Sequence, residues 1–188
     1  IARSQQKTWW LGLIIIPFWT NFLVRIYAWI ALLGNNGILN QYLLRIGAIH
    51  DTIQFLYNPT AIIVVLVYTY LPFAILPLYS TIEKFDFQLI EAARDLGATK
   101  FQAFRKVLIP AIRPGIVSAL LFCFIPAFGQ YAVPQLIGDS HAYMIGNVIA
   151  RELTITRNWP LSAALSSLLT LVSVMGVALF MFQSRKKK

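Results

Sequence analysis

Residues 52–82 read TIQFLYNPTAIIVVLVYTYLPFAILPLYSTI, a stretch with no Asp, Glu, Lys or Arg. Crossing about 30 Å of hydrocarbon at about 1.5 Å per residue takes roughly 20 apolar residues, so this stretch can cross a bilayer as one helix. Residues 114–138 and 158–184 are likewise free of charge, and residues 8–33 are interrupted only by Arg25. In lipid a backbone must satisfy its own amides, which makes each such stretch helical. The pattern predicts an all-α, polytopic helical membrane protein with four transmembrane helices, at about 9–33, 59–79, 114–137 and 160–183, in a single domain over 1–188. Composition agrees: of 188 residues, 58% are hydrophobic and 12% charged, whereas a soluble domain has about 45–50% apolar and about 25% charged residues. Too little polar surface remains to cover a water-soluble globule, and the lipid bilayer is the expected solvent.

Charge sets the orientation. Arg3 and Lys7 precede the first span, Lys84, Arg94, Lys100, Arg105, Lys106 and Arg113 lie between the second and third, and Arg185 with Lys186, Lys187 and Lys188 follows the fourth. These are twelve of the sixteen basic residues; only Arg45, Arg151 and Arg157 fall on the other side. Positively charged short loops stay cytoplasmic, so both ends of the chain and the loop over 80–113 are expected on the cytoplasmic side of the membrane, with Ile38–Ile49 and 139–159 as outer segments carrying short helices. The net charge of +9 therefore reports topology. It is split among loops and forms no basic face, so no nucleic-acid partner is expected.

Several chemistries lack their residues. Cys123 is the single cysteine and lies inside a span, so no intrachain disulfide can form, and His50 and His141 have no partner at ligand spacing, so no metal site is expected. No glycine is followed by lysine, which rules out the Gly-x4-Gly-Lys phosphate loop. The spans hold no convergent acid and base, as an intramembrane enzyme needs, and Arg25 alone is ionisable there, where an ion-coupled carrier would have several such groups. Pro17, Pro72, Pro77, Pro126 and Pro134 all fall within spans; they read either as structural kinks or as marks of a bundle around a path, since each frees a carbonyl that protein or water must satisfy.

The loop over 80–113 is far longer than the roughly two to eight residues that join neighbouring helices. Asp86 can cap a helix whose apolar positions Leu89, Ala93 and Leu96 share a face, and Gly97 is placed to stop it. Thr99-Lys-Phe-Gln102 has capping-box spacing and opens a second helix with Phe101, Phe104 and Leu108 on one stripe, ended by Pro110 and Pro114. The expected unit is helix, sharp turn, helix: a compact knob between two spans. The competing reading is an amphipathic loop lying on the lipid surface.

Within this loop, Glu91-Ala92-Ala93, three residues, Gly97, nine residues and Val107-Leu108-Ile109-Pro110 resemble the EAA loop of bacterial ABC importer permeases, with a MetI-like core. Val107 and Ile109 depart from that pattern's isoleucine and leucine, both as volume-near apolar swaps. The resemblance implies that the loop docks into a cleft on a nucleotide-binding subunit, with Glu91, Ala92, Ala93, Gly97, Phe101, Phe104 and Pro110 coupling to it. It further implies a homodimer of ATP-binding subunits carrying ATP and Mg, a second permease subunit and an extracytoplasmic substrate-binding protein, with no cofactor and no catalysis in this chain. Pro17-Phe-Trp-Thr-Asn21, Arg25-Ile-Tyr-Ala-Trp29, Gly37-Ile-Leu-Asn40 and Arg157-Asn-Trp-Pro160 are similar to the spermidine/putrescine branch, which implies polyamine cargo and about two N-terminal spans absent from this sequence. A permease for another small solute, or a motor-independent secondary carrier, is the alternative.

A polycation favours aromatic faces along its route. Phe124, Phe128 and Tyr131, with Gln130 beside them, repeat at helical spacing in the third span, and Tyr68 and Tyr70 lie in the second. These are the candidate path residues; plain packing is the competing reading for the aromatic stripe. Arg25 joins them as either a snorkelling side chain near the outer end of the first span or a pairing group at an outer gate.

Overall fold

The computed structural model describes residues 4–139 and 144–185. His141, Arg3 and Lys186–Lys188 lie outside the described residues. The first helix, α1 (Ser4–Ile15), gives way to a tight turn over Ile16–Trp19 and then α2 (Phe22–Leu33), so residues 9–33 are two helices where one was expected. Pro17 has no N–H and its ring crowds the carbonyl of Leu13. Thr20 Oγ1 donates to Pro17 O at 2.6 Å, and Asn21 Oδ1 accepts from Leu23 N at 2.8 Å and caps α2.

Beyond it come α3 (Ile38–Arg45), α4 (Pro59–Glu83), α5 (Gln88–Asp95) and α6 (Lys100–Ala103). A widened π turn over Phe104–Leu108 joins α6 to α7 (Ile109–Phe128), followed by α8 (Ala132–Ile137), α9 (Ile145–Thr154) and α10 (Trp159–Arg185). Among the described residues, four helical stretches are long and apolar enough to cross a membrane: Phe22–Arg45, Pro59–Glu83, Lys100–Phe128 and Trp159–Ala178.

The third stretch departs from expectation at both ends. Pro110 and Pro114 do not terminate the preceding helix; the chain stays helical from Lys100 to Phe128. Ile109 N donates to Phe104 O, five residues back, and this wider turn falls just where Pro110 cannot bond to Lys106. At the far end the helix stops at Phe128, and α8 starts anew after Gly129, Gln130 and Tyr131. Pro126 withdraws one donor from the last turn of α7, and Pro134 falls in the first turn of α8, where a missing N–H costs nothing.

The chain forms two compact units, Ile1–Pro72 with Phe128–Leu165, and Phe73–Ala127 with Ser166–Lys188. The first has a core of Ile26 and Leu33 from α2, Leu56, Ala61, Ile62 and Val65 from α4 and its approach, and Val133 and Ile137 from α8. Val65, Val133 and Ile137 are completely enclosed, which places α8 in the core of this unit after the break. Asn40, also enclosed, ties α3 to this core. Its Nδ2 donates to Gly34 O at 3.1 Å and Ile53 O at 2.8 Å, while its Oδ1 accepts from Ile53 N at 2.9 Å. In the second unit α4 and α7 meet at Gly115, where a Cβ would lie 2.7 Å from Thr81 Cβ and 3.2 Å from Pro77 O. Among the described residues of α10, few in its apolar stretch are buried within the chain.

Candidate functional site

The segment between α4 and α7 is built from local signals. Phe85 and Phe87 pack edge to face at 5.4 Å where α4 ends. Asp86 Oδ1 accepts from Gln88 N at 3.0 Å and satisfies the first amide of α5, although the N-cap position itself is Phe87, which makes no side-chain cap bond. Glu91 lies in the first turn of α5 and Arg94 in the last, each at the end its charge favours.

α5 closes with paired bonds: Gly97 N donates to Arg94 O at 2.9 Å and Ala98 N to Ala93 O at 3.0 Å. This Schellman arrangement needs a left-handed residue, and Gly97 sits at φ +88°. A Cβ on Gly97 would meet nothing within 4 Å, so backbone conformation, not space, demands glycine here. Two residues on, Thr99 and Gln102 form a reciprocal capping box, with Gln102 N donating to Thr99 Oγ1 at 3.2 Å and Thr99 N to Gln102 Oε1 at 3.0 Å.

The face expected of Leu89, Ala93 and Leu96 splits: Ala93 is half-buried, as is Ile90 beside it, but Leu89 and Leu96 are 52% and 90% exposed. Leu96 stands beyond the last helical residue, so periodicity no longer governs where it points. On the other arm Phe101 and Phe104 are exposed while Ala103 between them is 1% exposed. The small residues form the joint and the large apolar ones face out.

Glu91, Ala92 and Gly97 are exposed, Ala93 is half-buried, and Pro110 is exposed where the π turn passes into α7. Glu91, Arg94, Asp95, Gly97, Ala98 and Thr99 line an open hollow at the turn. The surface thus combines a polar hollow with protruding Leu96 and Phe101. Its second arm runs without a helical break into α7.

The proposed path residues fall into separate places. Arg25 and Tyr68 share an aromatic cluster: the Arg25 guanidinium stacks 4.4 Å from the Phe18 ring, and Tyr68 lies 5.8 Å from Phe18 and 5.4 Å from Trp29. Arg25 is in the first turn of α2, at the helix break, not near the far end of one long span. Its Nε and Nη1 are buried with no acceptor among the described residues. Tyr70 is two residues beyond Tyr68 in α4, about 200° round the helix, and so on another face. Phe128, Gln130 and Tyr131 mark the break after α7, and Phe124 belongs to the other compact unit.

Two of the buried polar side chains, Asn40 and Asn147, were not singled out by spacing. Asn147, in α9, donates from Nδ2 to Tyr131 O at 3.2 Å and Gln135 Oε1 at 3.3 Å. Each stands close after a glycine, Gly37 or Gly146, a pairing that signals close backbone approach.

Residues 3–188 match the model of the binding-protein-dependent transport system inner membrane component family. The chain belongs to that family. This inner membrane component is 46% identical over 172 residues to the spermidine/putrescine transport system permease protein PotB of Escherichia coli (strain K12), covering 92% of this chain and 62% of that protein. Over 177 residues it is 45% identical to the PotB of Haemophilus influenzae (strain ATCC 51907 / DSM 11121 / KW20 / Rd), covering 94% and 61%. It spans about three fifths of the length of these relatives. The crystal structure of a bacterial ABC transporter that imports the acidic polysaccharide alginate superposes with a TM-score of 0.77 at 18% identity, covering 99% of this chain and 68% of that one. That likeness establishes the helical permease fold of the inner membrane component.

Proposed function

We propose that the chain is a membrane-spanning permease subunit of a binding-protein-dependent ABC importer for polyamines, spermidine or putrescine. It helps form the translocation path, and the knob over 84–110 couples that path to a separate ATPase. The observation that carries the reading is the α5–α6 turn, closed by Gly97 and the Thr99–Gln102 box, presenting exposed Leu96 and Phe101 on an arm continuous with α7. Glu91, Ala92, Ala93, Gly97, Phe101, Phe104 and Pro110 are the coupling residues. The names of the PotB relatives support the polyamine assignment.

On this reading a homodimer of ATP-binding subunits holds ATP and Mg, a second permease subunit completes the path, and an extracytoplasmic protein delivers solute to the outer face. The distribution of Lys and Arg supports cytoplasmic placement of both ends and of the knob. Arg25, Tyr68, Tyr70, Phe124, Phe128, Gln130 and Tyr131 are path candidates, those at helix breaks foremost, because broken helices expose backbone polar groups at membrane depth.

The test is to co-purify the complete transporter with its ATPase and measure polyamine uptake and solute-stimulated ATP hydrolysis for Glu91→Ala and Gly97→Asp. Both variants are expected to lose uptake and stimulation while remaining in the membrane. Unchanged ATP-coupled uptake in both removes the coupling role.

A further inference from the structure

The break between α7 and α8 carries an acceptor with no donor. Asn147 is 4% exposed; its Nδ2 serves Tyr131 O and Gln135 Oε1, but its Oδ1 is buried and unpaired among the described residues. Exchanging the two ends of the amide would set Oδ1 against those two oxygens, so the neighbours fix which end is which. Gly146 brings the backbone of α9 close against the break: a Cβ there would come 2.8 Å from Gly129 O and 2.7 Å from Gln130 O. The oxygens of Gly129, Gln130 and Asn147 thus gather beyond the C-terminal end of α7, the negative end of its dipole, beside Tyr131 O, which already accepts from Asn147 Nδ2 and Gln135 N.

We infer that this break, closed by Asn147, is a binding site for one ammonium group of the transported solute. The inference rests on the polyamine reading above and names where this subunit meets the cargo. An ammonium brings three donors and no acceptor, which suits a site composed of oxygens at a helix C-terminus; a sugar hydroxyl needs a donor in return. The ring of Tyr131, 45% exposed, offers a face for the cation. Because Oδ1 is sealed in this conformation, solute reaches it only after α9 moves off the break. Solute therefore binds one access state better than the other, and that difference is what shifts the equilibrium between them.

The experiment measures spermidine and putrescine uptake by the complete transporter with its binding protein, for wild type, Asn147→Leu and Asn147→Asp, with membrane abundance and subunit co-purification measured in parallel. Leu is expected to raise KM for both polyamines by about tenfold or more, the scale of one lost hydrogen bond to a charged group, with co-purification intact. Asp keeps acceptor oxygens but loses both hydrogen bonds donated by Nδ2, and is expected to hold or lower KM. If Asn147 serves only to clamp α9, Asp fails as badly as Leu, and the inference is overturned. An unchanged KM in the Leu variant overturns it as well, with or without loss of co-purification. A wild-type transporter that takes up neither polyamine removes the polyamine reading itself, and this site's ligand with it, before either variant is compared.

Discussion

Gly115 of α7 is pressed against Thr81 of α4 so closely that a Cβ on the glycine would overlap Thr81 Oγ1 and stand 2.7 Å from Thr81 Cβ. Thr81 cannot swing aside freely, because its Oγ1 donates to Pro77 O at 2.8 Å. In lipid, helices associate through packing rather than expulsion of water, and a glycine at a crossing sets how near they come. The contact pins together the two helices that flank the α5–α6 knob.

Gly115→Ala is therefore expected to lower the stability of the purified chain by about 1–3 kcal/mol, the usual range for overpacking. Thr81→Ala in the same molecule should recover most of that loss. Thermal unfolding of the two single variants and the double variant in detergent tests this; strictly additive losses would show that the two residues do not share the contact.

Gly97 should respond to backbone preference and not to size. At φ +88° with nothing within 4 Å of a built Cβ, any L residue is strained, at a cost of roughly 1–2 kcal/mol. Asparagine tolerates the left-handed region and valine does not. Solute-stimulated ATPase activity should therefore fall from wild type to Gly97→Asn and further to Gly97→Val. Equal loss in the two variants would point to sterics at a partner surface instead.

Thr99 caps the second arm through its hydroxyl. Thr99→Ala should cost about 1 kcal/mol of local stability and Thr99→Ser much less. Amide hydrogen exchange over residues 100–104 reads the difference; a matching rise in exchange for both variants would mean the hydroxyl bond contributes nothing.

Asn40 satisfies three backbone groups, Gly34 O, Ile53 O and Ile53 N, from a fully enclosed position. Asn40→Leu leaves them without partners at about 1–3 kcal/mol for each that stays buried. The segment around α3 should become protease-sensitive while α5–α7 keep their exchange protection. Resistance equal to wild type would show that water replaces the side chain.

The helix caps of the knob were legible in the sequence because each is made between residues within six positions: Asp86 with Gln88, Ala93 with Ala98, Thr99 with Gln102. Which face of α5 packs was not. Leu89, Ala93 and Leu96 share a face by spacing, yet of the three only Ala93 is partly buried, with Ile90 beside it, while Leu89 and Leu96 stay exposed. The breaks after Pro17 and Phe128 were half legible. Proline marks where a helix is weakened, yet Pro72 and Pro77 lie inside the unbroken α4, so proline alone does not decide between a kink and a stop.

The sequence by itself determined the solvent, the helical class, the charge asymmetry and the local turn at Gly97, since these depend on composition and on bonds between near neighbours. Tertiary structure decided the rest. Whether a helix continues through a proline depends on what its freed carbonyl and its flanking side chains find to pack against, as when Val133 and Ile137 place α8 in the core and the π turn carries α7 past Pro110. The unpaired acceptor of Asn147 belongs to the same class. Burial created it, and burial is a property of the folded chain.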